Sequence, residues 1–480
     1  MADDSKIPKG RLRRSAKLGT VIGSQGAKYA GTKASSLFRG DGSSQDRMDE
    51  RHAETAAKMV ATLGQMKGAA MKIGQFASFI DIDFIPEEYR EIYQEQLAKL
   101  RSEAPAMPWE EVVTVLREEY DGEPIEQLFD SIEHEAFAAA SIGQVHRGRL
   151  IDGREVAVKI QYPGIAEALE ADLKNAGMLV RMARALAPGL DAREVTRELR
   201  ERVLEELDYE YEAQNQRSFA RAYRGHPFIY VPDVITRLSR RRVLVTEFVE
   251  GIGFERILEL DEEERSRFGE ILFRGSFGSI YHLQHFNADP HPGNYLLMED
   301  GRVAFLDFGM TKKLDKEQIE LEQLAVDATV RNDPEGLRDA LHNLGFVKKP
   351  SQLDAEHLMN HVKSIGGWYM EDREIEIDGD RVMKVIESTH DPRSEYFDLM
   401  RRESIPADEL MGRRMEIGVL AVLGRLRAKR NWHRIMREWV YADPPSTDLG
   451  KEEWAYFEER GIFQVPGISG HPNRFAQEEK

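Results

Sequence analysis

Between residues 45 and 79 the apolar positions Ala56, Met59, Val60, Leu63, Met66 and Ala70 recur at three- and four-residue steps. That period predicts one buried face of a helix. Pro86 opens a second such pattern with Tyr89, Ile92, Tyr93, Leu97 and Leu100, and Pro108 a third with Val112, Val115 and Leu116. Proline suits a first helical turn, where its missing N–H would have had no partner. The helical texture stops near Asp121-Gly122, and from about residue 132 short β-type runs replace it. Runs at 144–149 and 155–160 flank Asp152-Gly153. This dipeptide tolerates the positive φ of a tight hairpin. Charged helices are predicted at 163–187 and 191–223, a strand pair at 231–236 and 242–248, and a helix at 262–286. A second hairpin, 295–298 with 303–306, turns at Asp300-Gly301. Residues 315–440 read as amphipathic helices, and 441–480, with several Pro and Gly, as an irregular tail.

The chain is 480 residues long and 41% hydrophobic, enough for a sizeable core. It has no cysteine, which excludes disulfides, thiolate metal sites and cysteine nucleophiles. A net charge of -18 argues against nucleic acid as a partner. Charge is uneven, however: residues 1–40 hold nine Lys or Arg against two Asp. Such an arm fits an anionic lipid surface, or else is a solvated tail. No compact apolar run follows the basic start, so no secretory signal is expected. The longest apolar candidate, 417–423, falls far short of a span and is closed by Arg425. The expected location is cytoplasmic, with peripheral membrane contact through the arm.

Phosphoryl transfer requires a held triphosphate, a metal to neutralise charge, and a carboxylate to orient the attacking hydroxyl. Each has a candidate. Ala138-Ala139-Ala140-Ser141-Ile142-Gly143-Gln144-Val145 follows the kinase glycine-loop pattern, with alanine at two of its three glycine positions. Lys159 ends the run Val156-Ala157-Val158, sixteen residues past Gly143, where a kinase lysine meets the α- and β-phosphates. Asp289-Pro290-His291-Pro292-Gly293-Asn294 repeats the five-residue step from catalytic Asp to metal-binding Asn. Asp307-Phe308-Gly309 follows an apolar strand and supplies the second metal ligand, thirteen residues past Asn294. His291 reads as a loop anchor rather than a catalyst.

A kinase lysine is also held by a glutamate from a helix. The run Glu205-Glu206-Leu207-Asp208-Tyr209-Glu210-Tyr211-Glu212 offers several, and periodicity leaves Glu206 and Glu212 both open. Backbone groups of Glu247 and Val249, after the strand-like Val243–Val245 run, are placed to meet an adenine.

These motifs resemble the UbiB family (ADCK or AarF-like), atypical kinase-like proteins linked to isoprenoid lipids. The resemblance spans about residues 50–340 and rests on Lys72-Ile73-Gly74-Gln75 as its KxGQ motif, the alanine-rich loop, Glu206-Leu207-Asp208 as its ExD motif, and the two loops at Asp289 and Asp307. It implies an α+β, two-lobed protein-kinase-like fold with helical N-terminal and C-terminal regions. The segments are a basic arm (1–45), a helical extension (46–131), an N-lobe (132–247), a mainly helical C-lobe (248–440) and a tail (441–480). It also implies ATP and Mg²⁺ as cofactors, Lys72 reaching toward the nucleotide to meet Glu206 and Asp208, and Glu212 as the partner of Lys159. A quinone-like molecule joins anionic lipid as an expected partner. No Ala-Pro-Glu follows Gly309, which leaves little room for an activation loop. Several family members carry transmembrane segments that this chain lacks, which separates it from ubiquinone biosynthesis as a firm assignment. The expected function is Mg-ATP hydrolysis or phosphotransfer in an isoprenoid-lipid or membrane-associated pathway; the rivals are a protein serine/threonine kinase and a nucleotide-switched scaffold.

Overall fold

The computed structural model describes residues 107–140, 142–167, 204–390, 396, 399 and 410–461. The basic arm, the extension up to residue 106 with Lys72, residue Ser141, the stretch 168–203 where charged helices are expected, and the chain beyond 461 lie outside the described residues. The chain divides into two compact units. The first runs to residue 183 and includes 240–243; the second takes 184–239 and everything from 244.

In the first unit, helix Trp109–Glu119 starts after Pro108 and buries Val112, Val115 and Leu116, the stripe the sequence predicts. Positive φ at Asp121 and Gly122 turns the chain out of it. An antiparallel sheet follows, built from Phe129–Ile132, Ala138–Ala139, Gly143–Leu150 and Glu155–Gln161. The two long strands pair from Gly143 opposite Gln161 to Arg149 opposite Glu155. Asp152-Gly153 makes the predicted turn, with φ of 87° at the glycine. Val156, Val158 and Ile160 are fully buried, and Lys159 alternates to the other face with period two. Residues 240–243 join this unit through Arg242. Its carbonyl accepts from Gln161 N–H at 3.1 Å, and its guanidinium meets Glu119 at 2.6 Å and Glu118 at 2.8 Å.

In the second unit, the predicted helix 262–286 is interrupted. Glu262–Phe273 begins with a capping box between Asp261 and Glu264. A π-type turn, Arg274–Gly278, follows, then a short helix Ser279–Leu283 closed by left-handed Gln284. The glycines of the turn admit large rings: a Cβ on Gly275 would stand 2.5 Å from Phe305, and one on Gly278 3.0 Å from Trp439. Residues His285–Asn287 are a strand, antiparallel to Thr311–Lys313. A separate sheet joins Ile229–Tyr230, Val303–Phe305 and Tyr295–Leu297, the last two forming the predicted hairpin around Gly301. The strand pair expected at 231–236 and 242–248 reduces to Val243–Glu247 with a single bridge from Val234 to Thr246. Pro232 lacks the N–H that a longer ladder would use.

Helices Lys316–Val330, Pro334–Asn343, Ala355–Gly366, Gly379–His390, Leu410–Leu426 and Trp432–Val440 fill the predicted helical stretch. Phe273 sits among Trp368, Trp432 and Trp439 at centroid distances of 5.6, 5.2 and 5.5 Å. The sequence suggests irregular chain after 440, but Asp448–Glu459 is a helix capped by Thr447, with Tyr456 and Phe457 buried. Its Glu453 reaches the fully buried Arg274 at 2.8 Å, beside Glu270 at 3.0 Å and Glu438 at 2.9 Å.

Candidate active site

The loop between strands His285–Asn287 and Tyr295–Leu297 is held almost entirely by its own polar groups. Asn287 Oδ1 accepts from Asp289 N–H at 2.9 Å, while its Nδ2 donates to the Asp307 carbonyl. The Asp289 carbonyl accepts from His291 N–H at 2.7 Å and from Asn294 Nδ2 at 3.1 Å. His291 Nδ1 accepts from Gly293 N–H at 3.0 Å, the loop-anchoring part expected of it. The Asn294 carbonyl accepts from Leu306 N–H at 3.0 Å, so the Asp289 and Asp307 segments are braced against each other. Asn287, Asp289, Asn294 and Asp307 form one hydrogen-bonded group.

Helix Tyr209–Ala222 supplies the next layer. Asp208 caps it by accepting from Glu210 N–H at 3.0 Å. Three residues of the helix face the Asp307-Phe308-Gly309 turn. Glu212 is buried, and a Cβ on Gly309 would stand 3.6 Å from its Oε2 and 3.3 Å from Asp307 Oδ1. Asn215 Nδ2 donates to the Phe308 carbonyl at 3.3 Å. Phe219 packs on the Phe308 ring at 4.8 Å. Glu212 and Asp307 thus bracket one glycine. Glu206 lies half-buried before the cap, and the structure brings Glu212, not Glu206, to Gly309.

The donors fit Mg²⁺. Asn294 spends its amide N–H on the Asp289 carbonyl, which leaves Oδ1 as its acceptor for a cation. Asp307 adds a carboxylate; amide and carboxylate oxygens are the hard donors Mg²⁺ takes. Among the described residues no group of three or more His, Asp or Glu converges on a metal-sized site.

Glu247 N–H is already given to the Asp233 carbonyl at 2.9 Å. Its carboxylate accepts from Tyr230 OH at 2.8 Å and Asp233 N–H at 2.9 Å. The Glu247 carbonyl accepts from Thr246 Oγ1 at 3.3 Å.

In the first unit, Ala138 and Ala139 pair with Val145 and Gln144, and Ala140 N–H donates to the Gly143 carbonyl at 2.9 Å. Gly143 has a packing reason of its own: a Cβ there would fall 2.1 Å from the Ile160 carbonyl oxygen. Lys159 stands opposite Val145 across the same ladder.

One residue at the site escapes the sequence. Arg414, on helix Leu410–Leu426, donates from Nη2 to Asp289 Oδ1 at 2.6 Å and from Nε to the Ala288 carbonyl at 3.0 Å. It lies in a region without a readable motif, and its partner is 125 residues away.

Comparison with known proteins identifies the family and the fold. The family model described as the ABC1 atypical kinase-like domain matches residues 99–341. The mitochondrial atypical kinase COQ8B of Danio rerio is 34% identical over 315 residues, covering 64% of this chain and 49% of that protein. COQ8B of Rattus norvegicus is 34% identical over 350 residues, covering 72% and 65%. The chain therefore spans between half and two-thirds of the length of these relatives. A solved structure, the complex of Rv3197 with erythromycin from Mycobacterium tuberculosis, matches with a TM-score of 0.60 and 32% identity over 82% of this chain and 98% of that one. The fold is kinase-like, and the chain belongs to the UbiB family of ABC1 atypical kinase-like proteins.

Proposed function

We propose that this protein binds Mg-ATP and turns it over, by hydrolysis or phosphotransfer, in an isoprenoid-lipid or membrane-associated pathway. The observation that carries the reading is the single hydrogen-bonded group of Asp289, Asn294 and Asp307, with Glu212 beside Gly309. Asp289 orients the acceptor hydroxyl or water and takes up its proton. Asn294 and Asp307 hold the metal. In the first unit Lys159 is assigned to the α- and β-phosphates and the Ala138–Val145 loop to covering them, and the resemblance implies Glu212 as the partner of Lys159. Bound Mg-ATP supplies the transferable phosphoryl group and the neutralising charge.

A small or lipid-borne acceptor is favoured over a protein. After Gly309 the chain enters strand Thr311–Lys313, and Asp315 at once caps helix Lys316–Val330. No length is left there for an activation loop that would dock a peptide. Relatives named as mitochondrial COQ8B support a quinone-type pathway. Among the described residues no helix is long and apolar enough to cross a membrane. Contact with lipid is assigned to the basic arm, at a cytoplasmic or other anionic surface. Lys72, by resemblance, restrains the site against protein substrates, and Lys72→Ala is expected to raise self-phosphorylation.

The test measures phosphate release from ATP with and without anionic liposomes and quinone-like phenols. Stimulation of the wild type is expected. Transfer of label to proteins well above self-labelling would favour a protein kinase, and binding without turnover under every lipid condition a scaffold.

A further inference from the structure

Among the described residues, the catalytic loop meets a helix from far along the chain. Helix Leu410–Leu426 lies against it at two points one turn apart. Arg414 grips the Ala288 carbonyl through Nε at 3.0 Å and Asp289 Oδ1 through Nη2 at 2.6 Å. Four residues on, Gly418 faces Pro290 so closely that a Cβ would stand 2.5 Å from its Cγ. Residues four apart share a helix face, so both contacts belong to one docking surface.

We infer that Arg414 is a positioning residue of the phosphotransfer site: it locks the Asp289 carboxylate in one rotamer, with Oδ1 occupied and Oδ2 presented to the acceptor hydroxyl. The inference rests on the phosphotransfer reading above. The backbone of Asp289 is already fixed by Asn287, His291 and Asn294. Those bonds leave the side-chain torsions free, and a carboxylate that turns presents its oxygens to the hydroxyl in many orientations. Proton transfer needs one, held at hydrogen-bond reach. The planar guanidinium suits this task because its donors are rigidly spaced, so the carbonyl and the carboxylate are gripped in fixed relation. A lysine, with a single point charge, can reach only one of them at a time. Gly418 serves the same end by shape: it lets the helix come close enough for the arginine to span both acceptors. The pair is shielded, with side-chain exposures of 14% for Arg414 and 18% for Asp289, so water competes weakly for either partner. Arg414 grips the carboxylate assigned to the acceptor, while Asn294 and Asp307 are the residues assigned to the metal, so nucleotide binding and turnover are separable.

The experiment compares wild type, Arg414→Ala and Arg414→Lys in the full chain, reading lipid-stimulated kcat, Mg-ATP affinity by calorimetry, and thermal midpoint. Expected is a kcat reduced roughly 10- to 100-fold in Arg414→Ala, with Mg-ATP affinity within about twofold of wild type, and an intermediate kcat in Arg414→Lys. A merely structural pair would lower the midpoint without separating kcat from affinity. Arg414→Ala with wild-type kcat overturns the inference, as does an affinity loss that matches the loss of turnover. If Arg414→Ala does not fold, a wild-type kcat in Arg414→Lys overturns it equally. Absence of wild-type turnover sinks the phosphotransfer reading and the inference with it; normal wild-type turnover beside an unaffected variant sinks the inference alone.

Discussion

Asn215 donates its side-chain amide to the carbonyl oxygen of Phe308 at 3.3 Å, joining helix Tyr209–Ala222 to the turn that carries Asp307. Both groups are buried, so the bond has no water to replace it. Asn215→Leu leaves a buried carbonyl unsatisfied, at a cost of about 1–3 kcal/mol. The expected outcome is a lower thermal midpoint together with weaker Mg-ATP binding, because Glu212 and Asp307 lose their common frame. A stability loss with unaltered nucleotide affinity would show that the helix and the turn are positioned independently.

Asp307 is expected to be the main metal ligand. Its Oδ1 accepts from Gly309 N–H at 2.9 Å, a bond that an asparagine oxygen can keep. Asp307→Asn should therefore fold normally and lose Mg-dependent nucleotide binding. Wild-type thermal stabilisation of this variant by Mg-ATP would remove Asp307 from that part.

Arg274 is fully buried among Glu270, Glu438 and Glu453, and Thr447 accepts from it at 3.0 Å. It joins three separate helices. Replacing only the cation leaves carboxylates buried without compensation, a loss of about 3–5 kcal/mol. Arg274→Met should lower the thermal midpoint markedly and release helix Asp448–Glu459, seen as faster amide exchange there. An unchanged midpoint would mean the carboxylates take up protons at no cost to the fold.

The parts of the site legible in the sequence are those whose chemistry is local in the chain. Asp289 and Asn294 lie within one loop, Asp307 and Gly309 within one turn, and both Asp-Gly hairpins form where expected. What was not legible depends on distant partners. Strand His285–Asn287 exists only because Thr311–Lys313 pairs with it, and three residues carry no periodicity. The turn at Arg274–Gly278 is set by Phe305 and Trp439 filling the space its glycines leave. Glu212 could be told from Glu206 by resemblance but not by spacing, since both lie among acidic neighbours. Helix Asp448–Glu459 follows two prolines and is held by Arg274 from a helix far upstream. Arg414 belongs with these: nothing beside it in the chain marks it.

Acid should destabilise the second unit before its carboxylates titrate. His226 Nδ1 accepts from Ile229 N–H at 3.1 Å and from Phe228 N–H at 3.4 Å, so the folded chain needs a neutral ring. Burial pushes its pKa down to about 3, with Glu453 opposing only in part. His285, whose Nε2 meets Thr311 Oγ1 at 2.9 Å, is pushed to about 4 by burial and by the charge of Lys313. In the unfolded chain both rings titrate near an ordinary 6.5. Below that pH the unfolded state binds more protons than the folded one. Stability is thus full above about pH 6.5 and drains away as the pH falls toward 3 or 4. Glu453 enters later: Arg274 and His282 outweigh the upward push of burial and hold it at about 2, so its contribution fades only below its ordinary 4.5. Between pH 7 and pH 5 each histidine should remove up to about 2 kcal/mol, a shift of several degrees in thermal midpoint. His226→Asn and His285→Asn keep an acceptor without a titrating ring, and each should flatten the slope of midpoint against pH over that range. If the double variant loses stability in parallel with wild type from pH 7 to pH 5, the acid sensitivity lies outside these two rings.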